Sequence, residues 1–188
     1  MEFSNIAVDD RLESKKMTEY LLDLGHREIA LITERSERPI GRLRMEGFRR
    51  AFAEHGLDVP DRLICYVQED IEHYSMENGY LTAKKLLESG QEVTAIYAVA
   101  DALAIGACRA VLEAGKRIPE DISVAGYDGI EMGEYYNPKL TTIKQPVEEM
   151  AKKTIRLLLD VIGERKEHQQ IVFPAELVVR ESTGPCKK

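Results

Sequence analysis

Short apolar runs and amphipathic helical stretches alternate along this chain, and the helical stretches stop on glycine at regular intervals. Met17, Tyr20, Leu21 and Leu24 trace a helical stripe that closes at Gly25, and Phe48, Ala51, Phe52 and His55 mark a second that closes at Gly56. Tyr80, Ala83 and Leu87 carry a third to Gly90, and Leu103, Ala107, Ala110, Val111 and Ala114 a fourth to Gly115. Glycine suits that place because it takes the left-handed conformation that ends a helix. Between the helices lie runs at 28–33, 63–67, 94–100 and 122–125, short and apolar enough to be buried strands. Strict alternation of this kind builds βαβ units, so the chain is read as α/β with a mostly parallel, doubly wound sheet. A strand at 6–8 opens it. A helix entered through Pro146 keeps Val147, Met150, Ala151, Thr154, Leu158 and Val161 on one face up to Gly163, and IVFPAELVVRES closes it as one or two strands broken at Pro174.

Composition narrows the function. The chain has 188 residues, enough for a real core, and a net charge of -7, so no global basic field attracts a phosphate backbone. Cys65, Cys108 and Cys186 are scattered without metal-ligand or disulfide-framework spacing, which suits a reducing cytoplasm. The first residues, MEFSNIAVDD, have neither the basic nor the apolar part of an export signal, and no apolar run reaches membrane-spanning length. A cytoplasmic chain with no cofactor, no metal and no membrane partner is expected.

In an open α/β sheet, ligands sit beyond the carboxyl ends of the strands. There the sequence places Arg35, Arg38, Arg42 and Arg44 after 28–33, and Glu69, Asp70, His73 and Tyr74 after 63–67. Asp101 follows 94–100 and Asp128 follows 122–125. Guanidinium donors, carboxylate acceptors and an aromatic face on one rim suit a small polar ligand. Each residue also has a plainer role. Asp101 opens a helix and suits capping. Arg44 has Glu46 and Glu37 as possible ion partners, Tyr74 can pack on the helix from Met76 to Leu87, and Asp128 beside Gly129 can form a turn. His26, after Gly25, fits a helix-end role. No GxGxxG, GxxxxGK[ST], GxSxG or HExxH is present, which disfavours an enzyme.

Read in order, several motifs resemble the effector-binding region of the lactose/purine repressor (LacI/GalR) family of bacterial transcription regulators. They are the aspartate of AVDD, LGHREIALI, RMEGFRRAF, TAIYAVADALAIGACRAVLEAGKRIPEDISVAGYD, PKLTTIKQP and PAELVVREST. The resemblance implies a Rossmann-like, periplasmic-binding-protein-like C-terminal subdomain, with a small-molecule effector in a cleft between two subdomains that controls a dimer's hold on operator DNA. It puts Arg44 (of R-x-x-G-F) and Asp128 (of G-Y/F-D) on effector contacts and matches Asp101 to the helix-opening aspartate. Tyr74 and Arg38 match more loosely, as a stacking aromatic and a polar contact.

Ala100 departs from the family, whose sugar-responsive members have asparagine there. The effector is expected among sugars, sugar phosphates and nucleobase-like compounds; the departure counts against a simple sugar and leaves a purine-like, phosphorylated or protein co-regulator open. The resemblance further implies three segments: 9–140 as the C-terminal subdomain core, 141–166 as a crossing strand and helix of the N-terminal subdomain, and 167–188 as return strands to the C-terminal subdomain. A helix-turn-helix and most of the N-terminal subdomain are expected to be absent, so that operator DNA is reached only through a headpiece outside this chain. The apolar face of the helix after Pro146 is then expected to pack on the chain's own sheet or to exchange with a second copy. The alternative is a periplasmic-type solute-binding protein.

Overall fold

The computed structural model describes residues 4–35, 39–163 and 169–187. The elements are β1 (Asn5–Val8), α1 (Asp10–Asp23), β2 (Ile29–Thr33), α2 (Pro39–Glu54), β3 (Ile64–Tyr66), α3 (Met76–Glu88), β4 (Ala95–Ala98), α4 (Asp101–Glu113) and β5 (Ser123–Asp128). The short α5 (Met132–Tyr135), β6 (Thr141–Lys144), α6 (Val147–Ile162), β7 (Gln170–Phe173) and β8 (Glu176–Val178) follow. Six strands form one sheet in the order β3-β2-β4-β5-β6-β8, parallel except for β8, which runs antiparallel to β6. The pair α1 and α2 covers one face and the pair α3 and α4 the other.

The even apolarity of the central runs has the consequence expected of a sheet covered on both faces. Every residue of β2 and of β4 is buried. Phe48 and Phe52 of α2 pack as a tilted pair at 5.0 Å between ring centroids, and Phe48 also meets Tyr97 of β4 in the same core. Four of the five helix-closing glycines take positive φ: Gly25 at 91°, Gly56 at 67°, Gly90 at 72° and Gly115 at 71°. Gly163 does not; at φ -81° it leaves α6 without a left-handed cap.

From Thr141 onward, the last quarter of the chain, the structure differs from the sequence expectation. Thr141–Lys144, assigned to a crossing segment, is an inner strand of the large sheet, because its backbone pairs with β5 on one side and β8 on the other. The segment around Pro174 divides between two sheets. β8 is the edge of the large one, whereas β7 pairs in parallel with β1 in a separate two-stranded sheet. α6 rests against β1, but only Leu157 is buried, so its apolar face is not taken up by the chain's own sheets. Ile155, Leu158, Leu159 and Ile162 stay between 56% and 70% exposed.

Candidate functional site

A hollow of about 450 Å³ lies where the two-stranded sheet meets the carboxyl ends of the large one. Ile6, Ala7 and Val8 of β1 and Met150 of α6 line one side; Asp10, Arg44, Tyr74, Ala100, Asp128 and Gln145 line the other. A larger hollow of about 530 Å³ opens at the opposite end of the large sheet, beside His26 and Cys186, away from these groups.

Arg44 organises the polar wall. It points from α2 into the protein and is 5% exposed. Its Nε donates to Asp10 Oδ1 at 2.8 Å, and its Nη1 donates to the Val99 carbonyl and, at 3.4 Å, to Asp128 Oδ1. The guanidinium carbon stands 3.5 Å from the centre of the Tyr127 ring. Burial alone would make this group easier to deprotonate, but the carboxylates of Asp128 and Asp10 outweigh it and its pKa is raised. Arg44 is thus a fixed cation. The alternative partner, Glu46, is instead taken by Arg11, with Nε to Oε2 at 2.9 Å.

Asp128 ends β5 with φ 120°, a backbone conformation that costs a residue with a Cβ on the order of 1–3 kcal/mol. It accepts from Gln145 Nε2 at 2.9 Å as well as from Arg44. Burial pushes its pKa up, while Arg44 and Gln145 pull it down. Its side chain remains 34% exposed, toward the hollow.

Asp101 stands apart from the hollow's lining. It makes no side-chain capping bond to α4, and its carboxylate is fully buried and turned under the β5 end. Oδ2 accepts the backbone N–H groups of Gly129 and Ile130, both at 2.8 Å, and Oδ1 accepts the Thr142 hydroxyl at 2.6 Å. The residue therefore clamps the turn that presents Asp128. Burial raises its pKa to about 6, against the opposing pull of those three hydrogen bonds.

Tyr74 lines the hollow and donates its hydroxyl to Glu34 Oε1 at 2.6 Å. Arg38 lies outside the described residues. Of the other rim residues, Arg35 stacks on Tyr66, 4.6 Å from its centre, while Arg42, Glu69 and Asp70 are exposed and do not border the hollow. His26 sits at the far end of the sheet, tying Thr94 Oγ1 to the Gly184 carbonyl, both at 3.0 Å. Asp10 and Gln145 were missed. Asp10 follows Asp9, which accepts from the Leu12 N–H and so takes the capping role, leaving Asp10 for Arg44. Gln145 lies one residue past β6, so the carboxyl-end rule would have found it had 141–144 been placed in the large sheet.

Residues 18–183 match the family of periplasmic binding protein-like domains. The chain belongs to that family. Among its relatives in the family, the HTH-type transcriptional repressor PurR of Escherichia coli O1:K1 is 36% identical over 190 residues, covering 99% of this chain and 54% of PurR. The HTH-type transcriptional regulator MalR of Clostridium butyricum is 31% identical over 180 residues, covering 96% of this chain and 52% of MalR. The chain thus spans about half the length of these curated relatives. A LacI family regulator from Enterococcus faecium with bound ribose superposes with a TM-score of 0.87 at 36% identity, over 98% of this chain and 66% of that one. The CelR–cellobiose complex gives 0.87 at 31% identity, over 96% and 54%. Among the described residues, no helix is long and apolar enough to cross a membrane.

Proposed function

We propose that this chain is the effector-sensing part of a LacI-type transcription regulator, binding a small polar ligand without chemical change in the hollow beside Arg44 and Asp128. Its ligand state would set operator binding through a headpiece outside these residues, in the cytoplasm. The observation that carries the reading is the pair of Arg44, locked by Asp10 and Val99, and the strained, partly exposed Asp128 on one wall. Preorganised donors and acceptors of this kind suit recognition of hydroxyl or N–H groups. A homodimer is part of the proposal.

The charge of the hollow selects among ligands. Its charged lining is one arginine against two aspartates, and the arginine is already balanced by both. Among the described residues a phosphate would meet no free cation there, so a neutral, hydroxyl-rich or N–H-rich ligand is favoured over a sugar phosphate. Thermal denaturation with D-ribose, cellobiose and ribose 5-phosphate tests this, because a ligand that binds only the folded state raises Tm. Because Ala100 counts against a simple sugar, a nucleobase is tested beside the two sugars; a shift with a neutral ligand and none with the phosphate is expected. A shift with the phosphate alone would overturn the charge argument, and no shift from a broad panel of neutral sugars and bases would overturn the site.

A further inference from the structure

Glu34 is the first residue past β2, at the start of the rim, and its side chain is sealed from solvent. Oε1 accepts the Tyr74 hydroxyl at 2.6 Å, and Oε2 lies 3.0 Å from His73 Nδ1. Among the described residues, His73 is its only ionic partner. The first turn of α2 is cut back around it: a Cβ on Gly41 would stand 2.8 Å from Glu34 Cγ and 2.9 Å from Oε1. The loop that carries both donors is tied down a second time by the buried Asn78, whose Nδ2 donates to the Gln68 carbonyl at 2.9 Å and whose Oδ1 accepts the Gln68 N–H at 2.8 Å.

Among the described residues no lysine or arginine pairs with this carboxylate; burying one so is costly, and for stability alone a well-packed apolar residue serves as well or better. What the arrangement does supply is geometry. Tyr74 borders the hollow, and its hydroxyl is committed to Glu34.

We propose that Glu34 is a positioning residue for this hollow: it pins Tyr74 so that the ligand meets an aromatic face rather than a hydroxyl, selecting ligands with an apolar ring face. The proposal rests on the hollow being the ligand site. Orientation fixed before binding saves the ordering cost that a free side chain would charge on contact.

Two readouts on the 188-residue chain test it. In aromatic NMR of the ligand-free chain, assigned with Tyr74→Phe, Tyr74 should show a single ordered ring environment in the wild type and in Glu34→Gln, whose carbonyl oxygen still accepts the hydroxyl. In Glu34→Ala that environment should be lost while the other tyrosines are unchanged. A Tyr74 ring equally ordered in Glu34→Ala overturns the proposal, whether or not any ligand binds. In calorimetric titration with D-ribose as probe, Glu34→Ala should weaken binding at least tenfold and Glu34→Gln less than threefold, and Glu34→Ala should add nothing to Tyr74→Ala. Additive losses would overturn the proposal while leaving the site intact. Absence of ribose binding by the wild type would count against ribose as ligand, and the NMR comparison would still decide the role of Glu34.

Discussion

Asp101→Asn should change how stability depends on pH, by an amount that follows from where the carboxyl sits. In the folded chain Asp101 ionises near pH 6 because it is buried; in the unfolded chain it returns to its ordinary 3.8. At 1.36 kcal/mol per pH unit, ionising it inside the fold costs roughly 3 kcal/mol. The sign follows from proton counting. Between about pH 4 and 6 the folded state holds the proton more tightly, so stability is greatest below pH 4 and falls as pH rises through 6. Asparagine keeps the shape and an acceptor for the Gly129 and Ile130 N–H groups, and it does not titrate. Guanidinium unfolding of both proteins, followed by circular dichroism between pH 5 and 7.5, gives two stability curves. Their difference should move in favour of Asp101→Asn by about 1.4 kcal/mol over that window, close to half of the full effect. Asp128, whose pKa is also raised, titrates in both proteins; its negative charge is one of the smaller causes of the raised Asp101 pKa, after burial. Parallel curves would refute the reasoning, since they would mean that Asp101 is charged throughout and that burial is not what governs it.

Other consequences concern the rest of the wall and the uncovered helix. Arg44→Met should destabilise the fold by about 3–5 kcal/mol, because it leaves Asp10 and Asp128 without their buried cation; a loss below 1 kcal/mol in denaturant titration would show that those carboxylates are well solvated. Replacing Ile155 and Leu159 with glutamate should change monomer stability by about 0.5 kcal/mol or less per site, since both side chains already face water. The same pair should abolish self-association through α6 in sedimentation velocity, whereas a wild type that stays monomeric at high concentration would rule out exchange of that helix between copies.

The central sheet was legible because burial on both faces leaves an unmistakable record: β2 and β4 are continuous apolar runs, and the stretches between them repeat at helical spacing. The end of the chain was less so. LTTIKQP reads equally well as a link or as a strand, and only its pairing partners, β5 and β8, decide the matter. The same limit applies to side chains. Arg44 and Asp128 could be placed on one rim from strand order alone, but the role of Asp101 depends on Gly129, Ile130 and Thr142, which come near it only after folding. Nothing local marks Glu34 as the partner of Tyr74, forty residues away in sequence. Apolar periodicity predicted the helix α6 but not what covers it, because a stripe at helical spacing states only that a partner surface is wanted.

The central claim, that ligand meets the protein at Asp128, is tested most directly by Asp128→Asn. Asparagine tolerates the positive φ of that position better than alanine does, so the fold should survive and the ligand-free Tm should stay within a few degrees. In thermal denaturation with whichever neutral ligand raises the wild-type Tm, the account predicts that the rise is lost in Asp128→Asn. A rise of the same size in both proteins would contradict it.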